Sequence, residues 1–262
     1  MIEVIDLHKS FDGVEVLKGV FLRVERGQML ALIGMSGYGK SVLLKHITGL
    51  LKPDKGRVLV DGRDICELRG RELLEMRDRM GVLFQGGALF DSMTVYDNVA
   101  FPLKEKTKLN KEEIQKKVMH ELAQVNLLGS EYKYPSQISG GMIKRASLAR
   151  ALVEKPEIML FDEPTTGLDP ITGQTILNLI DRCHRRAKFT SILVTHEIPK
   201  VFGIVDKVAM LQNGCIVFEG TPDQVHVSQD PVVRAFVEGS REESPPENVV
   251  QGDGKDHVAQ SH

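Results

Sequence analysis

Cysteine is scarce and scattered in this 262-residue sequence: Cys66, Cys183 and Cys215 stand far apart, with no CxxC pair. That spacing argues against a disulfide framework or a zinc site and fits ordinary thiols in a reducing compartment. An excess of either charge is also missing. The formal net charge is -2, so no basic field points to nucleic acid as a partner. Long apolar runs are absent too. Met29 to Ile33 is far short of the roughly 18 to 20 residues that cross a bilayer. The start, Met1-Ile2-Glu3-Val4-Ile5-Asp6, lacks the basic stretch and longer apolar segment of a signal peptide, and reads as a strand. Any association with a membrane is therefore expected to come through a partner.

What is present is an ordinary globular mixture, 42% hydrophobic and 27% charged, long enough for one large or two small domains. Val14 to Val24 reads as a strand. Met29 to Ile33 is a continuous apolar run, the pattern of a strand buried on both faces of a parallel sheet. An apolar-striped helix over Val42 to Leu51 follows a glycine-rich loop, and Arg57 to Gly62 reads as a strand closing on a turn. Asn110 to Leu127 is predicted helical, capped by Asn110 with Glu113 at the capping-box position and Ile114, Val118, Leu122 and Val125 on one face. Residues 140–153 form another helix, with Ala146, Ala149, Leu152 and Val153 on its packed side. Apolar strands at Ile158 to Phe161 and Ile192 to Thr195 flank a helix over Thr172 to Arg186. Strands alternating with helices predict an α/β fold with a mainly parallel sheet. From about Ser240 the composition shifts to Gly, Asp, Glu and Gln around Pro245 and Pro246, and residues 239–262 read as a disordered tail. No internal repeat is visible.

Gly34-Met35-Ser36-Gly37-Tyr38-Gly39-Lys40-Ser41 fits G-x-x-x-x-G-K-[ST] and follows the buried strand. Its glycines let backbone N–H groups turn inward around phosphate oxygens, and the following helix adds the positive end of its dipole. In such a loop Lys40 reaches the β and γ phosphates, and Ser41 offers a hydroxyl to Mg²⁺. A guanine reader, Asn-Lys-x-Asp, is missing; the nearest stretch, Asn110-Lys111-Glu112-Glu113, lacks the Asp. A second buried strand, Ile158 to Phe161, ends in Asp162 and Glu163. Carboxylates at the carboxyl edge of such a sheet sit where α/β folds bind ligands. Asp162 suits Mg²⁺ coordination, and Glu163 suits a general base for an attacking water.

Ile138-Ser139-Gly140-Gly141-Met142-Ile143-Lys144-Arg145, at a helix start, resembles the LSGGQ signature of ABC ATPases. Gln85, after an apolar strand over Gly81 to Phe84, resembles the Q-loop glutamine. Gly167-Leu168-Asp169 resembles the D-loop, and His196, after Ile192 to Thr195, the switch histidine. Phe11 stands where the family places an adenine-stacking aromatic. The resemblance covers about residues 1–238. It implies the P-loop NTPase ABC ATPase fold: a RecA-like, mainly parallel core, an N-terminal antiparallel β subdomain and an α-helical signature subdomain over about 86–156. It also implies ATP and Mg²⁺. Catalysis would involve Glu163, His196, Gln85 and Lys40. Nucleotide would be held by Phe11, Gly34, Ser36, Gly37, Tyr38, Gly39, Lys40, Ser41 and Val42, and metal by Ser41, Gln85 and Asp162. Ser139, Gly140, Gly141 and Asp169 would serve the nucleotide of the other subunit in a homodimer. Val42 replaces a common Thr and Met142 the signature Gln; neither change removes a catalytic group.

The finer pattern, Gly39 to Lys45, Phe84 to Val95, Ser139 to Met142 and Asp162 to Ile171, resembles the ATPase of MCE-associated (Mla-type) phospholipid transporters. That resemblance implies an integral permease, an MCE-domain lipid-binding subunit, and a place on the cytoplasmic face of the bacterial inner membrane, moving phospholipid between inner and outer membranes. Ala88-Leu89-Phe90 would either line a groove for a coupling helix of the permease or pack the local core. Two other readings remain open: the ATPase of an amino acid or metal importer, and a soluble ABC ATPase acting on ribosomes or DNA. Against the latter, there is no second cassette, no long helical insertion and no basic footprint.

Overall fold

Asp12 and Gly13, both with positive φ, turn strand β1 (Ile2–Phe11) back into β2 (Val14–Val24), the two-residue chemistry a tight hairpin needs. This computed structural model describes residues 1–242. The chain continues through β3 (Met29–Ile33), α1 (Lys40–Ile47), β4 (Lys55–Val60), β5 (Arg63–Asp64), α2 (Gly70–Asp78) and β6 (Met80–Leu83). Three helices follow, α3 (Val95–Lys106), α4 (Lys111–Gln124) and α5 (Gly140–Leu152), before β7 (Ile158–Asp162). The last part holds α6 (Pro170–Ala187), β8 (Thr190–Val194), β9 (Lys207–Gln212), β10 (Cys215–Gly220), α7 (Pro222–His226) and α8 (Pro231–Glu242).

The central sheet has the order β10-β9-β3-β8-β7-β6, parallel throughout except for β10 against β9. A second, antiparallel sheet has the order β2-β1-β4-β5. Every residue of β3 is buried, as the unbroken apolar run predicts. Met29, Ala31 and Ile33 face one cluster, with Val99, Val118, Leu148 and Ile176 from α3 to α6. Leu30 and Leu32 face another, with Ile2, Val20 and Val58 from the antiparallel sheet and Leu43 from α1. Each large side chain in this run contributes about 2 kcal/mol of burial free energy, which fixes β3 as the strand on which the loop after it is mounted.

The expected α/β architecture is found. Asn110 and Glu113 form the capping box on α4, and Ile114, Val118, Leu122 and Val125 are buried. Several boundaries differ from expectation. Helix α1 starts at Lys40, not Val42, and stops at Ile47. Helix α6 starts at Pro170 because Asp169 accepts the N–H groups of Ile171 and Thr172. Helix α8 runs to Glu242, so residues 239–242, read as tail, are helical; the rest of that tail lies outside the described residues.

One charged cluster pins the two sheets together. Asp61, in the turn after β4, accepts from the Met1 ammonium and Arg26, each at 2.7 Å, and from Arg79. Arg79 also donates to Glu157, just before β7, at 3.0 and 2.7 Å. Burial pushes the Asp61 carboxyl up, but the ammonium and Arg79 outweigh it and hold the group at about 2. A depressed acid contributes stability above its unfolded pKa and loses it as pH falls through the folded value. Asp61→Asn should therefore cost about 2 kcal/mol at neutral pH. The Tm gap between wild type and variant should close between about pH 4 and pH 2. A gap that stays constant over that range would show that Asp61 acts by packing alone.

Candidate functional site

The loop between β3 and α1 is shaped by glycine. Gly34 has φ 145°, and a Cβ there would lie 2.2 Å from the Leu211 carbonyl oxygen on the neighbouring β9. Gly39 has φ 96°, and a Cβ would press on Leu17 at 2.9 Å and Val16 at 3.0 Å, both on β2. The loop is thus wedged between the two sheets. Gly39 is also the N-cap of α1 and supplies no side-chain acceptor. The first N–H groups of α1 keep their donor capacity for an anion, and the helix dipole favours negative charge there.

Lys40 is buried and donates to the carbonyls of Gly34 at 2.7 Å and Met35 at 2.8 Å. Burial pulls its pKa down, with Glu163 and Asp162 opposing the shift. Ser41 donates its hydroxyl to Asp162 Oδ1 at 2.8 Å, joining the loop to the end of β7. Burial pushes the Asp162 carboxyl up, and the Ser41 hydrogen bond counters it. Glu163 has φ 48°, a left-handed backbone that turns its side chain out of the line of β7. Its N–H donates to the Val194 carbonyl on β8, which supports the turn. Its carboxylate accepts from the Thr166 hydroxyl at 2.9 Å and lies 3.5 Å from His196 Nδ1. A cavity of about 640 Å³ is lined by Ser36, Tyr38, Glu163 and His196 on one side and by Val232 and Phe236 of α8 on another.

The structure therefore gathers Gly34, Ser36, Tyr38, Lys40, Ser41, Asp162, Glu163 and His196 at one end of the sheet. A hydroxyl bonded to a carboxylate beside an uncapped helix start and a buried ammonium is a donor set that fits Mg²⁺ with a polyphosphate: hard oxygen ligands for the metal, N–H and ammonium groups for the anion. Val42 sits on α1 and packs toward the core. Gln85 follows β6, one strand over from β7, with its side chain exposed. Phe11 is 42% exposed at the end of β1, with the Lys9 ammonium 5.5 Å from its ring centre.

Ser139, Gly140, Gly141 and Asp169 are assembled elsewhere. Ser139 caps α5, accepting from Met142 N–H at 3.3 Å. A Cβ on Gly141 would come within 2.6 Å of Thr172 on α6, so the starts of α5 and α6 are packed together. Asp169 caps α6, and its carboxyl is held below the usual range, first by Thr172 and then by Ile171. Sequence reasoning passed over Thr166, which holds Glu163, although it lies within the quoted Asp162 to Ile171 stretch. It also passed over α8, whose residues wall the cavity.

Residues 17–166 match the family model described as ABC transporter. Among curated proteins, the chain is 46% identical over 240 residues to a protein of Mycobacterium tuberculosis named "Probable ribonucleotide transport ATP-binding protein mkl". That match covers 92% of this chain and 67% of the relative. It is 45% identical over 218 residues to the "Intermembrane phospholipid transport system ATP-binding protein MlaF" of Haemophilus influenzae, covering 83% of each chain. Among solved structures, the dimeric ATP-binding cassette MJ0796 bound to ADP and Pi aligns with a TM-score of 0.77 at 30% identity, over 85% of this chain and 99% of that one. With this loop, these acids and these relatives, the chain belongs to the ABC transporter ATP-binding family and is an ATPase that works with ATP and Mg²⁺.

Proposed function

We propose that the chain powers phospholipid transport between two membranes, as a homodimer seated on a permease at the cytoplasmic face of the bacterial inner membrane, with an MCE-domain subunit in the same assembly. The observation that carries the ATPase site is the convergence of Lys40, the Ser41–Asp162 bond and the Glu163–His196 pair at the start of α1. Lys40 exchanges its own carbonyl acceptors for phosphate oxygens. Backbone N–H groups from Gly37 to Ser41 surround them, with Ser36 and Tyr38 beside the cavity. Ser41, Asp162 and Gln85 would hold Mg²⁺, which would neutralise phosphate charge. Glu163 takes the proton of the attacking water, and His196 holds the γ-phosphate side of the site. Water adds to the γ-phosphorus as the bond to the ADP oxygen breaks, with Lys40 countering the charge that develops. Phe11 stacks on the adenine.

Residues 1–238 are the ATPase domain in this reading. Helices α3 to α5 form the subdomain over about 86–156; α8, which walls the cavity, continues past residue 238 to Glu242. The homodimer is supported by the exposed starts of α5 and α6, which present Ser139, Asp169 and an 81% exposed Ile171 to an opposing surface. The MJ0796 cassette is a dimer. Phospholipid cargo is supported by the residue pattern and by the name of the Haemophilus relative. A ribonucleotide cargo, suggested by the mycobacterial relative's name, is the alternative.

Phe90 is 43% exposed and its ring lies 4.9 Å from that of Phe101, while Leu89 is half-buried against the core. We take both for the floor of the permease groove. Leu89→Asp with Phe90→Asp should abolish co-purification with an integral membrane protein from detergent extracts and leave basal ATPase intact; unchanged recovery sinks the groove. The reconstituted complex should transfer labelled phospholipid between vesicles in an ATP-dependent way. ATPase stimulation by ribonucleotides, amino acids or metal ions, with no lipid transfer, would replace the cargo.

A further inference from the structure

The helix that begins at Ser139 reaches into its own active site by a route the signature residues do not supply. About two turns of α5 carry Lys144, Ser147 and Arg150 beneath the segment that follows β6. Lys144 is buried, and its ammonium donates to the backbone carbonyl of Gln85. Arg150 donates to the carbonyls of Gly87 at 3.0 Å and Ala88 at 2.7 Å. Those two residues are in left-handed conformations, φ 76° and 49°, which aim both carbonyls at the guanidinium. A Cβ on Gly87 would meet Ser147 at 2.8 Å and Ile143 at 2.9 Å, so the segment lies directly on the helix. At its far end Asn98 of α3, fully buried, binds both the N–H and the carbonyl of Phe90.

A buried ammonium is costly to keep. It has three donors, and among the described residues Lys144 has one hydrogen-bond acceptor. An apolar side chain of similar length would fill the space without that cost. The charges of Glu163 and Asp162 offset part of the penalty, which places the cation within electrostatic reach of both acids. A buried cation bonded to the carbonyl of a proposed metal and water ligand, and within electrostatic reach of Asp162 and Glu163, is placed for the reaction more than for stability.

We propose that Lys144 is a positioning residue for ATP hydrolysis, tethering the Gln85 backbone to the helix that carries Ser139 so that the γ-phosphate of one subunit and the water-side ligand of the other are set by one rigid element. The inference rests on the assignment of Gln85 made above. Lys144 touches neither nucleotide nor water in this scheme; it acts through Gln85.

A kinetic cycle on the full-length dimer, in complex with its permease, tests this. Lys144→Met should lower kcat about tenfold with KM for ATP within about twofold of wild type. Lys144→Arg, which keeps the charge and a donor, should restore kcat to within about threefold. Adding Lys144→Met to Gln85→Ala should change kcat less than about twofold, because the residue it positions is already gone. Equal losses in both backgrounds, tracking a lower Tm, would reduce Lys144 to a packing residue and overturn the proposal; an unchanged kcat in Lys144→Met overturns it outright. If Gln85→Ala alone leaves kcat unchanged, it is the Gln85 assignment that fails. Should Lys144→Met not fold, Lys144→Gln enters the same cycle with the same criteria.

Discussion

Glu163→Gln is expected to lower ATP turnover by about a thousandfold while nucleotide binding persists. The substitution keeps size and shape, and an amide oxygen can still accept from the Thr166 hydroxyl that now holds the carboxylate. What disappears is the proton acceptor of the proposed mechanism. General bases of this kind contribute about 10² to 10⁴ in rate, and nothing else at the end of β7 can replace Glu163, because Asp162 is committed to Ser41. The γ-phosphate then remains in place, and with it the contacts that, in the proposed homodimer, join two subunits across the nucleotide. ATP should therefore convert the variant from monomer to a persistent dimer in light scattering, while wild type passes through that state transiently. Rapid phosphate release by Glu163→Gln would remove Glu163 as the base. Tight ATP binding with no dimer would remove the shared-nucleotide geometry and leave the base assignment standing.

Gly34→Ala is expected to destabilise the fold by about 3 kcal/mol or more, lowering Tm by about 10 °C. Two costs add. The backbone at φ 145° is one that side-chain-bearing residues rarely adopt, and the new methyl would lie 2.2 Å from the Leu211 carbonyl oxygen. That oxygen belongs to β9, an interior strand of the central sheet paired with β10 and β3, so neither partner can retreat cheaply. Gly37→Ala is the matched control. Its φ is 84°, but a Cβ there meets nothing within 4 Å, so only the conformational cost of about 1 kcal/mol remains. Equal melting temperatures for the two variants would mean that β9 yields.

Much of this was legible in the sequence, and particular residues show why. The unbroken run Met29 to Ile33 can only be satisfied by burial on both faces, and it is buried on both. Asn110 with Glu113 is a local device whose geometry needs no tertiary partner, and it forms as expected. The family, the fold class and the ATPase activity followed from motifs whose spacing is set by the nucleotide. Strand β10 stayed hidden because a register shift between Ile216 and Phe218 breaks its alternation. Helix α3 stayed hidden because Pro102 interrupts its pattern, although Thr94 caps it as a serine-like residue should. Lys144 is the sharpest case. A basic residue in a helix reads as solvent-facing, but Lys144 is buried and bonded to the carbonyl of Gln85, 59 residues earlier in the chain. Long-range closure of that kind leaves no local trace.

The two hydrogen bonds from Lys40 to the carbonyls of Gly34 and Met35 carry a last consequence. A phosphate arriving at this loop competes with the protein's own oxygens for a cation already in use. Capture is then a substitution, in which two amide acceptors are given up as anionic ones are taken on, and the net enthalpy is the small difference between them. Because that lysine is held in the cradle beforehand, little side-chain entropy is lost on capture, and release of product can be reversed by the same swap. A loop that supplies its own stand-in for the ligand does not collapse between turnovers, which suits a machine that must load and discharge the same anion repeatedly.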